Sequence, residues 1–250
     1  MDYPRPDSPL AESFAASPNH GERRGGGRPD CVILHYTGMP TGEEALERLC
    51  DPASEVSSHY FIWKNGRILQ LVAEDRRAWH AGASSWKGET DLNSRSIGIE
   101  IVNQGHINGV PAPFPEAQIV ATAALCRDIA SRHAIVPERF LAHSDVAPGR
   151  KIDPGEAFPW ERLHELGVGR WVEPAFGGHA KALREGDSGP EIKALQEGLA
   201  RHGYAIAIDG IFGPRTRAVV EAFQRHFRRA RVDGVADART RAVLAALVSA

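Results

Sequence analysis

Cysteine is scarce in this chain. Cys31, Cys50 and Cys126 are the only three in 250 residues, widely spaced and without a C-x-x-C pair. Their odd number and spacing argue against a disulfide framework and a zinc knuckle, and the expectation is three reduced, mostly buried thiols. An excess of charge of one sign is also missing: the formal net charge is -2, which speaks against a general nucleic-acid binder. No apolar run approaches the length of a membrane span, so no transmembrane segment is expected. The N-terminal thirty residues hold no basic start followed by an apolar core. With no secretory signal visible, the default expectation for the compartment is the cytoplasm.

What is present has the balance of an ordinary globular protein, 42% hydrophobic and 25% charged, long enough for one large domain or for one medium and one small. After a Pro-, Gly-, Ser- and Arg-rich lead-in, "CVILHYTG" reads as a buried strand stopped by glycine. "TGEEALERL" reads as a helix capped by Thr41 with an acidic first turn. "SSHYFIWKNGRILQLV" gives two strands around the Asn65-Gly66 turn, and "SIGIEIVN" a further strand. "PEAQIVATAALCRDIASRH" is a helix with Ile119, Ala123, Cys126 and Ile129/Ala130 on its apolar face. Strands interspersed with helices predict an α/β fold, a mixed central β-sheet flanked by helices.

Beyond a linker the composition shifts to Ala, Arg and Leu, and the chain repeats itself. "DGIFGPRTRAVV" from Asp209 is echoed by "DGVADARTRAVL" from Asp233, which predicts duplicated turn-plus-helix units in a small three-helix domain. The expected divisions are a flexible lead-in at 1–16, a catalytic domain at 17–171, a linker at 172–182 and the helical domain at 183–250. Arg215, Arg217, Arg225, Arg228, Arg229 and Arg231 would form a basic helical surface there, either solvated or turned to the carboxylates of a ligand.

The chemistry concentrates in "LAHSDVAPGRKIDPGEAFPW", where His143 and Asp153 end a stiff loop holding Lys151. A catalytic zinc needs three ligands drawn from His and Asp/Glu, with a fourth position left for water. His143 and Asp153 supply two, and His35, near the end of its strand, is the best candidate for the third. Taken alone, His35 also reads as a strand-end histidine bonded to backbone, and Asp153 as a turn former. Glu100 adds weight. In "SIGIEIVN" it faces away from Ile97, Ile99 and Ile101, and a carboxylate inside an apolar strand is costly unless paired or functional. Lys151, two residues before Asp153, cannot bind a metal but can donate to a developing oxyanion.

"VILHYTGM", "SSHYFIWKNGRILQLV", "AWHAG", "SIGIEIVNQGH" and "HSDVAPGRKIDPGEAFPW" together resemble the zinc-dependent N-acetylmuramoyl-L-alanine amidases of the amidase-2 family, in the AmpD/AmiD branch. The resemblance runs from about Ser17 to Trp171, and the tail resembles the peptidoglycan-binding domain-1 module. It implies an amidase-2, peptidoglycan-recognition-like fold with zinc held by His35, His143 and Asp153. It further implies Glu100 as catalytic acid/base and Lys151 as oxyanion-stabilising residue. His80 in the "AWHAG" motif and Asn103 are candidates for the substrate groove. The implied reaction is hydrolysis of the amide between the lactyl group of N-acetylmuramic acid and L-alanine, in muropeptides, anhydromuropeptides or peptidoglycan. The alternative is a non-catalytic peptidoglycan-binding or recognition protein. A polymer-binding tail also keeps a periplasmic or cell-envelope location open.

Overall fold

The computed structural model describes residues 5–173 and 181–249, so most of the expected linker at 172–182 lies outside the described residues. By contacts the chain forms two compact units. The first comprises Met1–Gly82, Asp91–His143 and Asp153–Arg170; the second comprises Ala83–Thr90, Ser144–Ile152 and Trp171–Ala250. The expected division near residue 171 followed the order of the chain. The contacts instead group two short stretches, 83–90 and 144–152, with the C-terminal helices.

The first unit runs β1 (Ser13–Phe14), β2 (His20–Glu22), β3 (Cys31–Tyr36), α1 (Gly42–Cys50), β4 (Tyr60–Ile62), β5 (Ile68–Gln70) and β6 (Arg76–Ala78). It continues with α2 (Leu92–Arg95), β7 (Ser96–Ile101), β8 (His106–Ile107), β9 (Val110–Pro111), α3 (Glu116–His133) and β10 (Phe140–Ala142). A helical turn, α4 (His143–Val146), follows β10 where the chain passes into the second unit, and α5 (Trp160–Glu165) closes the series of the first. Six strands make the central sheet in the order β1-β5-β4-β7-β3-β10. Only the β4–β5 hairpin is antiparallel, so the sheet is mixed as expected. Thr41 caps α1, its hydroxyl accepting from the Glu44 N–H at 3.1 Å. Gly66 closes the hairpin at φ 87°, where an added Cβ would stand 2.8 Å from the Ala117 carbonyl, so the turn and α3 both demand glycine.

Burial follows the sheet. Val32, Ile33 and Leu34 of β3 and Ile97, Ile99 and Ile101 of β7 are fully enclosed, and α3 packs against β4 and α5 through its Ile119, Ala123, Cys126 and Ile129 stripe. Ala45 and Leu49 of α1 join Phe61, Leu69, Leu71 and Val102 in a second cluster. Cys31 and Cys126 are buried free thiols and Cys50 is half-buried. Part of the lead-in expected at 1–16 joins the sheet. β1 pairs in parallel with β5, and the Asp7 carboxylate accepts from Gln70 Nε2 at 2.5 Å and from the Glu74 N–H at 2.8 Å. A two-residue edge strand is too short to leave an alternating signature in a polar sequence.

The second unit carries the expected three helices, α6 (Pro190–His202), α7 (Pro214–Phe227) and α8 (Ala238–Val248). A buried glutamine fills each Asp-Gly turn of the repeat. Gln196 Nε2 donates to Asp209 Oδ1 at 2.8 Å and to the Ile211 carbonyl at 3.0 Å, while its Oε1 accepts from the Gly210 N–H. Gln224 repeats the arrangement on Asp233, Val235 and Gly234. The copies differ where the next helix begins: α7 starts on Pro214 at N1, and α8 starts with the Asp237 carboxylate accepting from the Thr240 N–H. The basic surface expected here is largely neutralised. Arg217 meets Glu185 and Glu221, Arg228 meets Asp237, Arg231 meets Asp233, and Arg215 donates to backbone carbonyls.

Candidate metal centre and active site

Three neighbouring parallel strands assemble the site. β3 pairs with β7 so that His35 stands opposite Glu100, and Glu100 in turn stands opposite Phe61 of β4. Residues opposite one another in a ladder project from the same face, so the imidazole and the carboxylate emerge side by side. On the other flank Ala142 of β10 is opposite Leu34, and the chain leaves the strand with His143, next to His35. The pairing register of these strands brings the polar side chains together.

His35 Nδ1, His143 Nδ1 and Asp153 Oδ2 form a triangle with edges of 2.9, 2.9 and 3.0 Å. All three residues are buried, at 2%, 3% and 7% exposure. A tetrahedron with metal–ligand bonds of about 2.0 Å has edges of about 3.3 Å, close to this spacing. The hydrogen bonds on the far side of each ring decide what the triangle holds. His143 Nε2 lies 3.1 Å from the Ala81 carbonyl, which can only accept, so this nitrogen carries the proton and Nδ1 keeps a lone pair.

For His35 the same conclusion comes through a relay. Ser96 Oγ donates to the Leu92 carbonyl at 2.5 Å, so it accepts from His80 Nε2 at 3.1 Å. His80 Nδ1 must then accept from His35 Nε2 at 3.0 Å, which leaves the His35 Nδ1 lone pair facing the triangle. Two imidazole lone pairs and a carboxylate oxygen converge, an arrangement that a bound cation stabilises. Two neutral imidazoles and one carboxylate match the donor set of a catalytic zinc with an open fourth position.

The other candidates fall in different places. His80 is buried behind His35. Burial, followed by the nearby rings of His35, His59 and His143, lowers its pKa well below the ordinary histidine value, so it stays a neutral relay. Asn103 is 2% exposed and pins the chain after β7, donating to the Ala112 and Pro113 carbonyls and accepting from the Gly105 N–H. Lys151 lies in the second unit, on the Ser144–Ile152 segment, with its N–H donating to the Ala147 carbonyl at 3.0 Å. His59 is a structural residue: Nδ1 accepts from the Gly98 N–H and Nε2 meets the Arg76 carbonyl.

Sequence reasoning missed the relay partner Ser96. One signal was available in Gly98, placed between Ile97 and Ile99. A Cβ there would lie 2.4 Å from the His80 ring, so the strand needs glycine to let His80 reach His35.

Residues 25–156 match the family described as N-acetylmuramoyl-L-alanine amidase, and residues 188–244 match a peptidoglycan binding domain family. The N-acetylmuramoyl-L-alanine amidase AmiD of Escherichia coli is 43% identical over 71% of this chain and 67% of its own length. The 1,6-anhydro-N-acetylmuramyl-L-alanine amidase AmpD of Enterobacter cloacae is 30% identical over 60% of this chain and 87% of its own. Among solved structures, Escherichia coli AmiD in complex with the substrate anhydro-N-acetylmuramic acid-L-Ala-D-gamma-Glu-L-Lys superposes with a TM-score of 0.77. It is 39% identical and covers 92% of this chain and 97% of that one. AmpDh3 from Pseudomonas aeruginosa, in complex with anhydromuramic pentapeptide, gives a TM-score of 0.72 at 31% identity over 90% and 92% of the two chains. With one family model matching more than half of its residues and the ligand triangle within that match, this chain belongs to the N-acetylmuramoyl-L-alanine amidase family.

Proposed function

We propose that this chain hydrolyses the amide between the lactyl group of N-acetylmuramic acid and L-alanine, with zinc held by His35, His143 and Asp153. The observation that carries this reading is the convergence of the His35 and His143 Nδ1 atoms and the Asp153 carboxylate on one point. Zinc bound there supplies Lewis acidity, which brings the pKa of water toward neutrality and polarises a carbonyl. Glu100, opposite His35 on the neighbouring strand, takes the proton of the attacking water and hands it to the departing amine of L-alanine. Lys151 donates to the oxyanion of the tetrahedral intermediate. His80 holds the His35 ring and its tautomer. Solved relatives carry anhydromuropeptides, which supports the same substrate class for this chain.

Mass spectrometry of products from purified protein tests the reading, with soluble anhydromuropeptide and intact sacculi offered in parallel. The expected product is free stem peptide beginning with L-alanine, lost on chelation and restored by zinc. Cleavage of soluble substrate alone assigns the chain to muropeptide recycling, and cleavage of sacculi assigns it to the cell wall. If neither is cut at any zinc level, the protein binds peptidoglycan without turning it over.

A further inference from the structure

Asp145 is a buried carboxylate that the proposed reaction leaves without a task. It is 1% exposed and lies in the second unit. Its Oδ1 accepts from the Tyr204 hydroxyl at 2.8 Å, and its Oδ2 from His226 Nδ1 at 2.7 Å. Tyr204 and His226 are themselves buried, at 3% and 4% exposure. The Trp86 ring packs edge-on against Tyr204 at 5.0 Å, and Phe227 stacks on His226 at 4.0 Å, so neither partner is free to swing away.

Further bonds hold the same segment. Arg215 donates to the Pro148 carbonyl at 2.9 Å, the Val146 carbonyl accepts from the Ser85 N–H at 2.8 Å, and Arg150 reaches the Ala83 carbonyl at 2.7 Å. Ser144–Ile152 is thus gripped along its length by α7, by the connection after α6 and by residues 83–85.

In the chain this segment joins His143 directly to Asp153 and carries Lys151 between them. A buried polar contact is weak evidence for stability, but its directional bonds fix the position of the group they hold. We infer that Tyr204 and His226 are positioning residues of the amidase reaction, acting through Asp145 to fix the segment between the two ligands. The inference rests on the function proposed above. The helices matched to the peptidoglycan binding family then serve the catalytic loop as well as any polymer.

The test uses the full chain with Tyr204→Phe, His226→Leu and His226→Asn, the last keeping an N–H where Nδ1 stood. Kinetics are followed on soluble anhydromuropeptide, and zinc affinity is read by competition with a chromophoric chelator. Tyr204→Phe and His226→Leu are expected to lower kcat about 10- to 100-fold with KM moved far less, to weaken zinc binding, or both. His226→Asn is expected to recover most of the loss, which a general loss of stability would not allow. Unchanged kcat and zinc affinity in Tyr204→Phe and His226→Leu overturn the inference, as does a change confined to KM on sacculi. If His226→Leu does not fold, Tyr204→Phe, which removes a single oxygen, decides alone. If the wild type cuts no substrate, the proposed function falls while the zinc affinities still decide this inference.

Discussion

Replacing His80 by alanine tests the ligand tautomers at one residue. In the wild type, protons run one way: from His35 Nε2 to His80 Nδ1 at 3.0 Å, from His80 Nε2 to Ser96 Oγ at 3.1 Å, and from Ser96 to the Leu92 carbonyl. His80→Ala leaves a buried N–H of His35 without its acceptor, a loss of about 1–3 kcal/mol. It also frees the ring to turn or change tautomer, placing a proton where the metal should sit. Outer partners of metal-bound histidines are worth about 10- to 100-fold in affinity, or about 1.4–2.7 kcal/mol, so zinc affinity should fall by that factor. Gly98→Ala should do the same without touching the relay chemically, because its Cβ would stand 2.4 Å from the His80 ring. Ser96→Ala should have a smaller effect, since His80 keeps its place and loses only the bond that fixes its tautomer. Competition with a chromophoric chelator at neutral pH measures all three, and thermal melts establish that each variant is folded. Unchanged zinc affinity in a folded His80→Ala protein would refute the tautomer assignment.

Glu100→Gln keeps the shape of the side chain and removes the proton acceptor, so kcat on anhydromuropeptide should fall about 10²- to 10⁴-fold with zinc affinity retained. A kcat within the wild-type range would remove Glu100 from the mechanism. Acid should destabilise the fold early. Burial, followed by the Arg23 guanidinium, lowers the His59 pKa from 6.5 to about 3, so the folded state refuses a proton that the unfolded chain takes. This stability is complete above pH 6.5 and is lost as pH falls toward about 3. For this group alone the loss between pH 7 and pH 5 is about 2 kcal/mol. Urea melts at the two pH values should show His59→Gln losing less on acidification than the wild type, and equal losses would contradict the assignment. Gln224→Leu should cost roughly 2–4 kcal/mol in urea unfolding, because the N–H groups of Asp233 and Gly234 lose their shared acceptor. A cost near 0.5 kcal/mol, that of an ordinary surface change, would show that the turn holds without its plug.

The strands that build the site were legible because their apolar runs are strong. "VILHY" and "SIGIEI" put His35 and Glu100 among apolar neighbours, and pairing then places the two residues opposite one another. The other two members of the triangle, His143 and Asp153, needed a loop, and the unusual composition of "HSDVAPGRKIDPG" marked it. The His80 relay was harder to see. It joins residues 35, 80 and 96, and no local period links them; only the glycine at 98 hinted at a close approach. Likewise the repeat of the Asp-Gly turns was visible, but Gln196 and Gln224 lie on the helices before them. Nothing in an amphipathic pattern separates a buried glutamine from an exposed one. The grouping of 144–152 with the C-terminal helices is a through-space fact that order along the chain conceals.

The two halves of the duplicated module are unequal in length. Gln196 lies 13 residues before the aspartate it binds, and Gln224 lies 9 before its own. In polymer terms the longer connection costs about 0.3 kcal/mol more to close, a negligible sum beside the hydrogen bonds the plug makes. Duplication therefore leaves the loop between plug and turn almost free to vary in length, and here the surplus falls after α6, where Tyr204 sits. In the shorter copy the corresponding place before the aspartate is held by Arg228, which turns inward to Thr240 and Asp237. A repeat whose turns are locked internally can lengthen one connection and acquire a new contact there, with its own fold unchanged.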